Sequence, residues 1–411
     1  MKPELIPLRH LNPMKYLLSS CIVIAALSAL RAEDVPQFRG VGGLGLSKET
    51  GLPVEWDAKK NIRWKADLPG RGLSNPVIAD GRVYVSACNA YEQKREVVLC
   101  YDLKTGAKLW ERQVWATGST LAHPKSSMAA PTPLTDGSHV YALFATGDLV
   151  CYDRDGKLGW YRSLVADYPT VGNNVGAAAS PVLWKDLVIL TMENVGESFA
   201  VGIDKKTGQN RWRIDRPRGI NWVTPILFNN NGKDEVLFQG PDGITACDPA
   251  TGKTTWTYAA KLGTIPSAST GDGVVFTQGD KFIALAPGDG KKDAKPLWQS
   301  NKLRTGYGSP VIHKNRLYTV AFGGIVNCTN AQTGEILWTH RLEGNYSASP
   351  LLAEDRLYIV CEDGTTTVMQ AADEAKVLAT SKLNDMFMAC PVASNGAIFL
   401  RSDKALYCIG K

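Results

Sequence analysis

Short apolar runs alternate with polar turn clusters from about residue 74 to the end of the chain, and no stretch carries the apolar spacing of a long amphipathic helix. The clearest unit is LCYDLKTGAKLW at 99–110. Its apolar run reads as a strand and D-x-x-T-G as a turn. The Asp side chain accepts backbone N–H groups there, and Gly takes the positive-φ position. The outgoing strand ends on a tryptophan. The unit returns as VCYDRDGKLGW (150–160), VGIDKKTGQNRW (201–212), TACDPATGKTTW (245–256) and NCTNAQTGEILW (327–338), with a blurred copy ending at Trp298. Counting back from the first copy reaches Trp64, so Trp64, Trp110, Trp160, Trp212, Trp256, Trp298 and Trp338 recur at intervals of 40 to 52 residues. A further 40 residues reaches Leu378, which is expected to stand in for Trp.

A second marker precedes each unit: a small residue near a proline, then strand, polar turn and strand. SNPVIADGRVYVSA (74–87), ASPVLWKDLVILTM (179–192), GSPVIHKNRLYTVA (308–321) and ASPLLAEDRLYIVC (348–361) are examples. Together the two markers give four short strands per repeat, and four strands at this period predict propeller blades. The final stretch, ACPVASNGAIFLRSDKALYCIGK, begins an eighth blade and stops before its Trp strand. NIRWKADL around Trp64 supplies that strand from the other end of the chain. The expected architecture is therefore all-β: an eight-bladed propeller of four-stranded antiparallel blades, over 64–411, closed by pairing its N- and C-terminal strands.

Residues 1–32 lie outside this pattern. Lys15, the apolar stretch Tyr16–Leu30 and a small residue at Ala32 have the layout of an export signal, with Met1 or Met14 as the start. The apolar stretch is too short to span a bilayer, so no transmembrane anchor is expected in the mature chain. Cys21 is not read as a lipidation site, because most of the apolar run follows it. Removing the segment takes away Lys2, Arg9, Lys15, Arg31 and Glu4 and lowers the net charge from +6 to +3. No basic block remains to suggest nucleic acid as a partner. Residues 33–63 form a lead-in. Its GVGGLG (40–45) satisfies G-x-G-x-x-G, but without a preceding strand or following helix it reads as a flexible turn-rich loop rather than a phosphate cradle.

The repeated D-x-x-T-G-x-x-x-W phrase resembles the tryptophan-docking motif of the pyrroloquinoline quinone (PQQ)-like propeller family. That family includes quinoprotein alcohol dehydrogenases and the propeller lipoprotein of the outer-membrane β-barrel assembly machinery. The resemblance covers about residues 33–411 and implies that the seven tryptophans wedge between neighbouring blades. It is specific for fold, not for function. The dehydrogenases of this kind carry adjacent paired cysteines and hold Ca²⁺ beside the quinone. No Cys-Cys pair occurs here, and Glu193-Asn194 could offer such ligands.

Cys100, Cys151, Cys247, Cys328 and Cys408 recur at one place in successive repeats and read as small buried hydrophobes. Cys88 and Cys100 lie close enough in one blade for a bridge to remain an alternative. His123-Pro124-Lys125-Ser126-Ser127 lacks the G-x-S-x-G elbow of a hydrolase and reads as a turn. The segments before each proline marker should open together at the channel mouth. They bring Arg71, His123, Lys125, Ser126, Asn174, Asn221, Trp222, Arg304, Tyr307, Asn345, Tyr346, Asp385 and Phe387, with Trp222 outside the docking register. Aromatic and Arg residues in such a setting point to binding. The expected function is an exported, periplasmic or extracellular, non-catalytic scaffold without metal or cofactor. It is expected to be monomeric and to take a protein or cell-envelope component at its channel face. The alternative is a PQQ- and Ca²⁺-dependent alcohol or sugar dehydrogenase.

Overall fold

A computed structural model describes residues 32–172 and 175–411. The export-signal reading of 1–32, including Met14 and Cys21, and the candidate Asn174 therefore fall almost wholly outside the described residues; Ala32 alone is described.

Eight antiparallel sheets form the blades of a ring. Blade one comprises strands Val77–Ala79, Arg82–Asn89, Arg95–Asp102 and Lys108–Trp115; blades two to seven repeat the plan through Val377–Lys382. Blade eight takes Val392–Ser394, Ala397–Arg401 and Ala405–Ile409 from the C-terminus and Ile62–Asp67 from the N-terminus. The closing pair sets Trp64 opposite Cys408 and Asp67 opposite Ala405. The second and third strands of each blade are buried on both faces, because a neighbouring blade covers each side. Val83–Cys88 and Leu187–Met192 are buried throughout, which explains their unbroken apolar runs. Outermost strands alternate: Ile62–Asp67 buries only Trp64 and Ala66.

The D-x-x-T-G turns form as their chemistry requires. Asp102 Oδ1 accepts Lys104 N and Thr105 N at 3.0 and 2.8 Å, and Asp204 repeats this at Lys206 and Thr207. The turn glycine seats the tryptophan of the preceding blade. Gly106 has φ +70°, and a Cβ there would come within 2.5 Å of the Trp64 ring. Six of the seven indoles donate to a backbone carbonyl of the next blade, as Trp110 Nε1 does to Arg154 O at 2.8 Å. Trp256 instead donates to Glu235 Oε2 at 2.7 Å.

Blade seven corrects the expectation for Leu378. The residue paired opposite Val368, as Trp338 is opposite Cys328, is Ala379; Leu378 sits in the bulge beside it. The turn there is one residue longer than in blade six and shifts the register. Trp56 of the lead-in is buried in the cluster joining blades seven and eight, with Leu52 and Tyr358, so the lead-in brings an aromatic to the seam that lacks one.

The residues before the prolines close a belt. Backbone N–H groups donate from Asn75 to Thr132 Oγ1, Thr132 to Ser180 Oγ, Ser180 to Thr224 Oγ1, Thr224 to Ser267 Oγ, Ser267 to Ser309 Oγ, Ser309 to Ser349 Oγ, Ser349 to Cys390 Sγ, and Cys390 back to Asn75 Oδ1. The distances are 2.8–3.2 Å. Every member but Ser267 precedes a proline, which holds it extended and turns its N–H toward the next blade.

The lead-in is not a flexible loop. It enters the channel from the face carrying the D-x-x-T-G turns and touches the first strand of all eight blades. Val35 bridges Ile78, Pro36 O accepts Thr135 N, and Gln37 Oε1 accepts Leu183 N. Val41–Gly43 packs on Ile226–Asn230. Arg39 donates to Ser269 Oγ and Pro310 O, and Leu46–Ser47 pairs in parallel with Leu351–Ala353. Ser394 Oγ donates to Glu33 O. Arg39 is buried and donates only to oxygens without formal charge; burial pulls its pKa down to about 10. The G-x-G-x-x-G glycines serve this path: at Gly45, φ +70°, a Cβ would crowd Arg39 and Pro350 at 3.1 Å.

All eight cysteines of the described residues are free and buried. Cys88 pairs across the strands with Glu96 and Cys100 with Tyr84, so the two thiols are not opposed and the alternative of a bridge is set aside.

Candidate functional site

The channel is blind. Phe38, at the tip of the lead-in, and the belt residues Thr224, Ser267 and Ser309 floor a cavity of about 310 Å³ that opens on the face opposite the D-x-x-T-G turns. Its wall follows one rule. The residue two positions before each belt member lines it, one from each blade in turn: Leu73, Ala130, Ala178, Trp222, Ile265, Tyr307, Ser347 and Met388. Trp222 is outside the docking register because it belongs to this second register. Its Nε1 donates to Gly176 O at 3.0 Å, which fixes the indole against the neighbouring blade.

Blades two and three contribute only alanine, and the segment before Ala130 fills that side. His123, Lys125 and Ser126 reach the cavity from it. Lys125 extends across the mouth: Nζ lies 3.0 Å from both Glu362 carboxylate oxygens and 4.6 Å from the Phe322 ring centre. Ser347 Oγ donates to the same carboxylate.

The remaining sequence candidates are held elsewhere. Arg71 donates to Pro124 O at 2.8 Å and faces Asp403 at 3.4 Å, bracing the segment over the mouth. Asn221 is buried and donates to Glu193 Oε2 and Gln239 O. Arg304 is exposed and, among the described residues, donates to its neighbour's carbonyl, Leu303 O. Asn345 O accepts Glu362 N, and Tyr346 is buried with its hydroxyl donating to Glu343 O. Asp385 turns into blade eight, where Ser402 Oγ donates to it at 2.5 Å, and Phe387 is buried against Tyr407. His123, Lys125, Ser126, Trp222 and Tyr307 are thus the sequence candidates that meet at the cavity. Phe38, Leu73, Ile265 and Met388 were missed; the proline spacing carried the signal for Leu73 and Met388, but not for Ile265, whose belt residue Ser267 precedes no proline.

The fit of PQQ with Ca²⁺ turns on the carboxylates. Among the described residues none lines the cavity. Glu193 is buried with Arg216 Nε at 2.7 Å from Oε1 and Asn221 Nδ2 at 2.5 Å from Oε2. Asn194 Oδ1 accepts Gly172 N and Gly196 N. Both residues are committed to the fold, so the side chains present do not fit that group.

A second buried acid lies between blades one and two. The single hydroxyl proton of Thr146 faces Glu96 Oε1 and Asp148 Oδ2, so only one of these contacts can be a donation by threonine. Asp148 also receives Thr117 N, Thr117 Oγ1 and Tyr161 OH. Glu96 is therefore the protonated member; burial first, then Asp148, pushes its pKa up to about 9. A carboxyl raised above its unfolded value of about 4.3 keeps a proton that the unfolded chain releases, so its contribution is present at low pH and lost as pH rises toward 9. Chemical-denaturation midpoints should fall across that window, and Glu96→Gln should flatten the fall. Parallel wild-type and variant profiles would contradict the assignment.

Comparison with known proteins places the chain. A family profile described as "Outer membrane protein assembly factor BamB" matches residues 42–229 and 291–405. The chain belongs to this family. Among its relatives, the outer membrane protein assembly factor BamB of Moranella endobia (strain PCIT) is 24% identical over 305 residues, 71% of each chain. That of Burkholderia pseudomallei (strain K96243) is 22% identical over 350 residues, 73% of this chain and 85% of its own. The crystal structure of BamB from Moraxella catarrhalis superposes with TM-score 0.62 at 17% identity, covering 85% of this chain and 97% of that one. Quinohemoprotein alcohol dehydrogenase from Comamonas testosteroni gives TM-score 0.67 at 14% identity, covering 92% and 81%. Both structures share the fold. This BamB-family chain has, among its described residues, no helix long and apolar enough to cross a membrane.

Proposed function

We propose that the protein is an exported, non-catalytic scaffold whose mouth face binds a protein or another component of the cell envelope. One observation carries this reading: large apolar side chains stand exposed around a blind cavity that, among the described residues, no carboxylate lines. Tyr91 is 79% exposed and Trp115 56%, and both project from blade one, where three strands run eight residues and lift the hairpin above the rim. Tyr307 and Met386 are exposed on the same face. Aromatic side chains in such positions anchor interfaces. Relatives named as outer membrane protein assembly factors support a partner among envelope proteins.

Photo-cross-linking residues placed at Tyr91, Tyr307 and Met386 in cells should give one discrete adduct. The same residue at Lys104 and Lys253, on the opposite face, should give none. Equal labelling of both faces, or alcohol oxidation by the purified protein supplied with PQQ and Ca²⁺, would refute the reading.

A further inference from the structure

We infer that the cavity receives a neutral saccharide ring, which deepens the mouth-face reading above and rests on it. The floor sets the first condition. Thr224, Ser267 and Ser309 are 5%, 6% and 3% exposed, and each hydroxyl already accepts a backbone N–H from the blade before it. Among the described residues no acceptor takes the proton of any of the three, so the floor presents three donors along one arc. A hydrocarbon guest would leave them unpaired, at a cost of about 1–3 kcal/mol each. An oxygen-bearing guest is required.

Charge sets the second condition. Among the described residues no carboxylate lines the cavity to hold a cation. The one ammonium at the wall, Lys125, is already held by both oxygens of Glu362, so an anion would enter without a free counter-charge. The wall sets the third. Trp222, Ile265 and Tyr307 stand on three consecutive blades, two aromatic surfaces flanking an aliphatic one, above the same three hydroxyls. A guest must combine oxygen acceptors on its edge with an apolar face and carry no charge. A pyranose ring does so, and about 310 Å³ admits a guest of that class at the lower end of ordinary ligand pockets.

The source is either a free sugar or the end of a glycan chain, and the test separates them. Saturation-transfer NMR and calorimetry on the full-length exported protein would use D-glucose, N-acetyl-D-glucosamine, the oligosaccharide N,N′,N″-triacetylchitotriose and D-glucuronate. Binding of a neutral monosaccharide is expected; a gain with the oligosaccharide assigns a chain end, and equal affinity assigns the free sugar. Trp222→Ala should weaken binding by about tenfold or more. Ala178→Trp fills the cavity without altering the belt, and should abolish binding while its melting temperature and the rim cross-links from Tyr91 and Met386, which lie outside the cavity, stay unchanged. No binding of either monosaccharide or the oligosaccharide by folded wild-type protein, tighter binding of glucuronate, or full binding by Ala178→Trp would overturn the inference. Cross-links from Tyr91 and Met386 that persist in that event leave the scaffold reading standing; their loss as well would remove both.

Discussion

Deleting residues 33–68 should abolish the cooperative fold. The deletion removes Ile62–Asp67, the outermost strand of blade eight, and leaves Ala405–Ile409 as a raw edge. An unpaired buried-type strand edge templates aggregation. It also removes the lead-in that touches the first strand of every blade, and with it Arg39 and the aromatic Trp56 at the seam of blades seven and eight. The inner strands would then face one another across an open channel with donors such as Thr135 N and Leu352 N unpaired. Size-exclusion chromatography and thermal unfolding check this: the expected outcome is aggregated protein without a sharp transition. A monomer with an unchanged melting temperature would show that neither the closing strand nor the lead-in holds the ring. Replacing Arg39 alone by Met is a milder version, since it keeps the strand and removes only the buried guanidinium.

Truncating the docking tryptophans is the next largest effect. Trp110 packs between Tyr84 of its own blade and Tyr152 of the next, with ring centres at 5.9 and 6.0 Å, and donates to Arg154 O. Trp338 lies 6.2 Å from Tyr318 and donates to Ala372 O. Trp110→Ala and Trp338→Ala should each cost about 3–5 kcal/mol, the range for buried aromatic truncation. The loss falls on the contact between blades, so the denaturation midpoint should drop more than for any change within a turn. Trp222→Ala should leave the midpoint almost unchanged, because that indole lines the cavity and joins no two blade cores. A ranking with Trp222 as the most damaging site would mean that the cavity wall, not the blade seams, holds the ring.

The sequence determined what repeats. Turn chemistry is local: an Asp or Asn that caps its own backbone and a Gly at positive φ act over five residues, so blade count, strand count and the closing role of Trp64 could be read directly. The tryptophans were legible for the same reason, since six of the seven meet a glycine one repeat further on; Trp338 faces the blade-seven turn, which has none. Leu378 failed because one added residue in a turn shifts a register that only the paired strands reveal. The site was less legible. The proline marker was visible, but its belt exists only when the ring closes and Cys390 N reaches Asn75 Oδ1 across 315 positions. The same closure decides which rim residues face the cavity: two positions before each belt member they point inward, whereas Asn221, Tyr346 and Asp385 turn into their blades. The lead-in was least legible of all. Its glycines, Arg39 and Phe38 form no periodic pattern, and their partners are the first strands of eight blades, a surface that does not exist until the propeller has assembled around them.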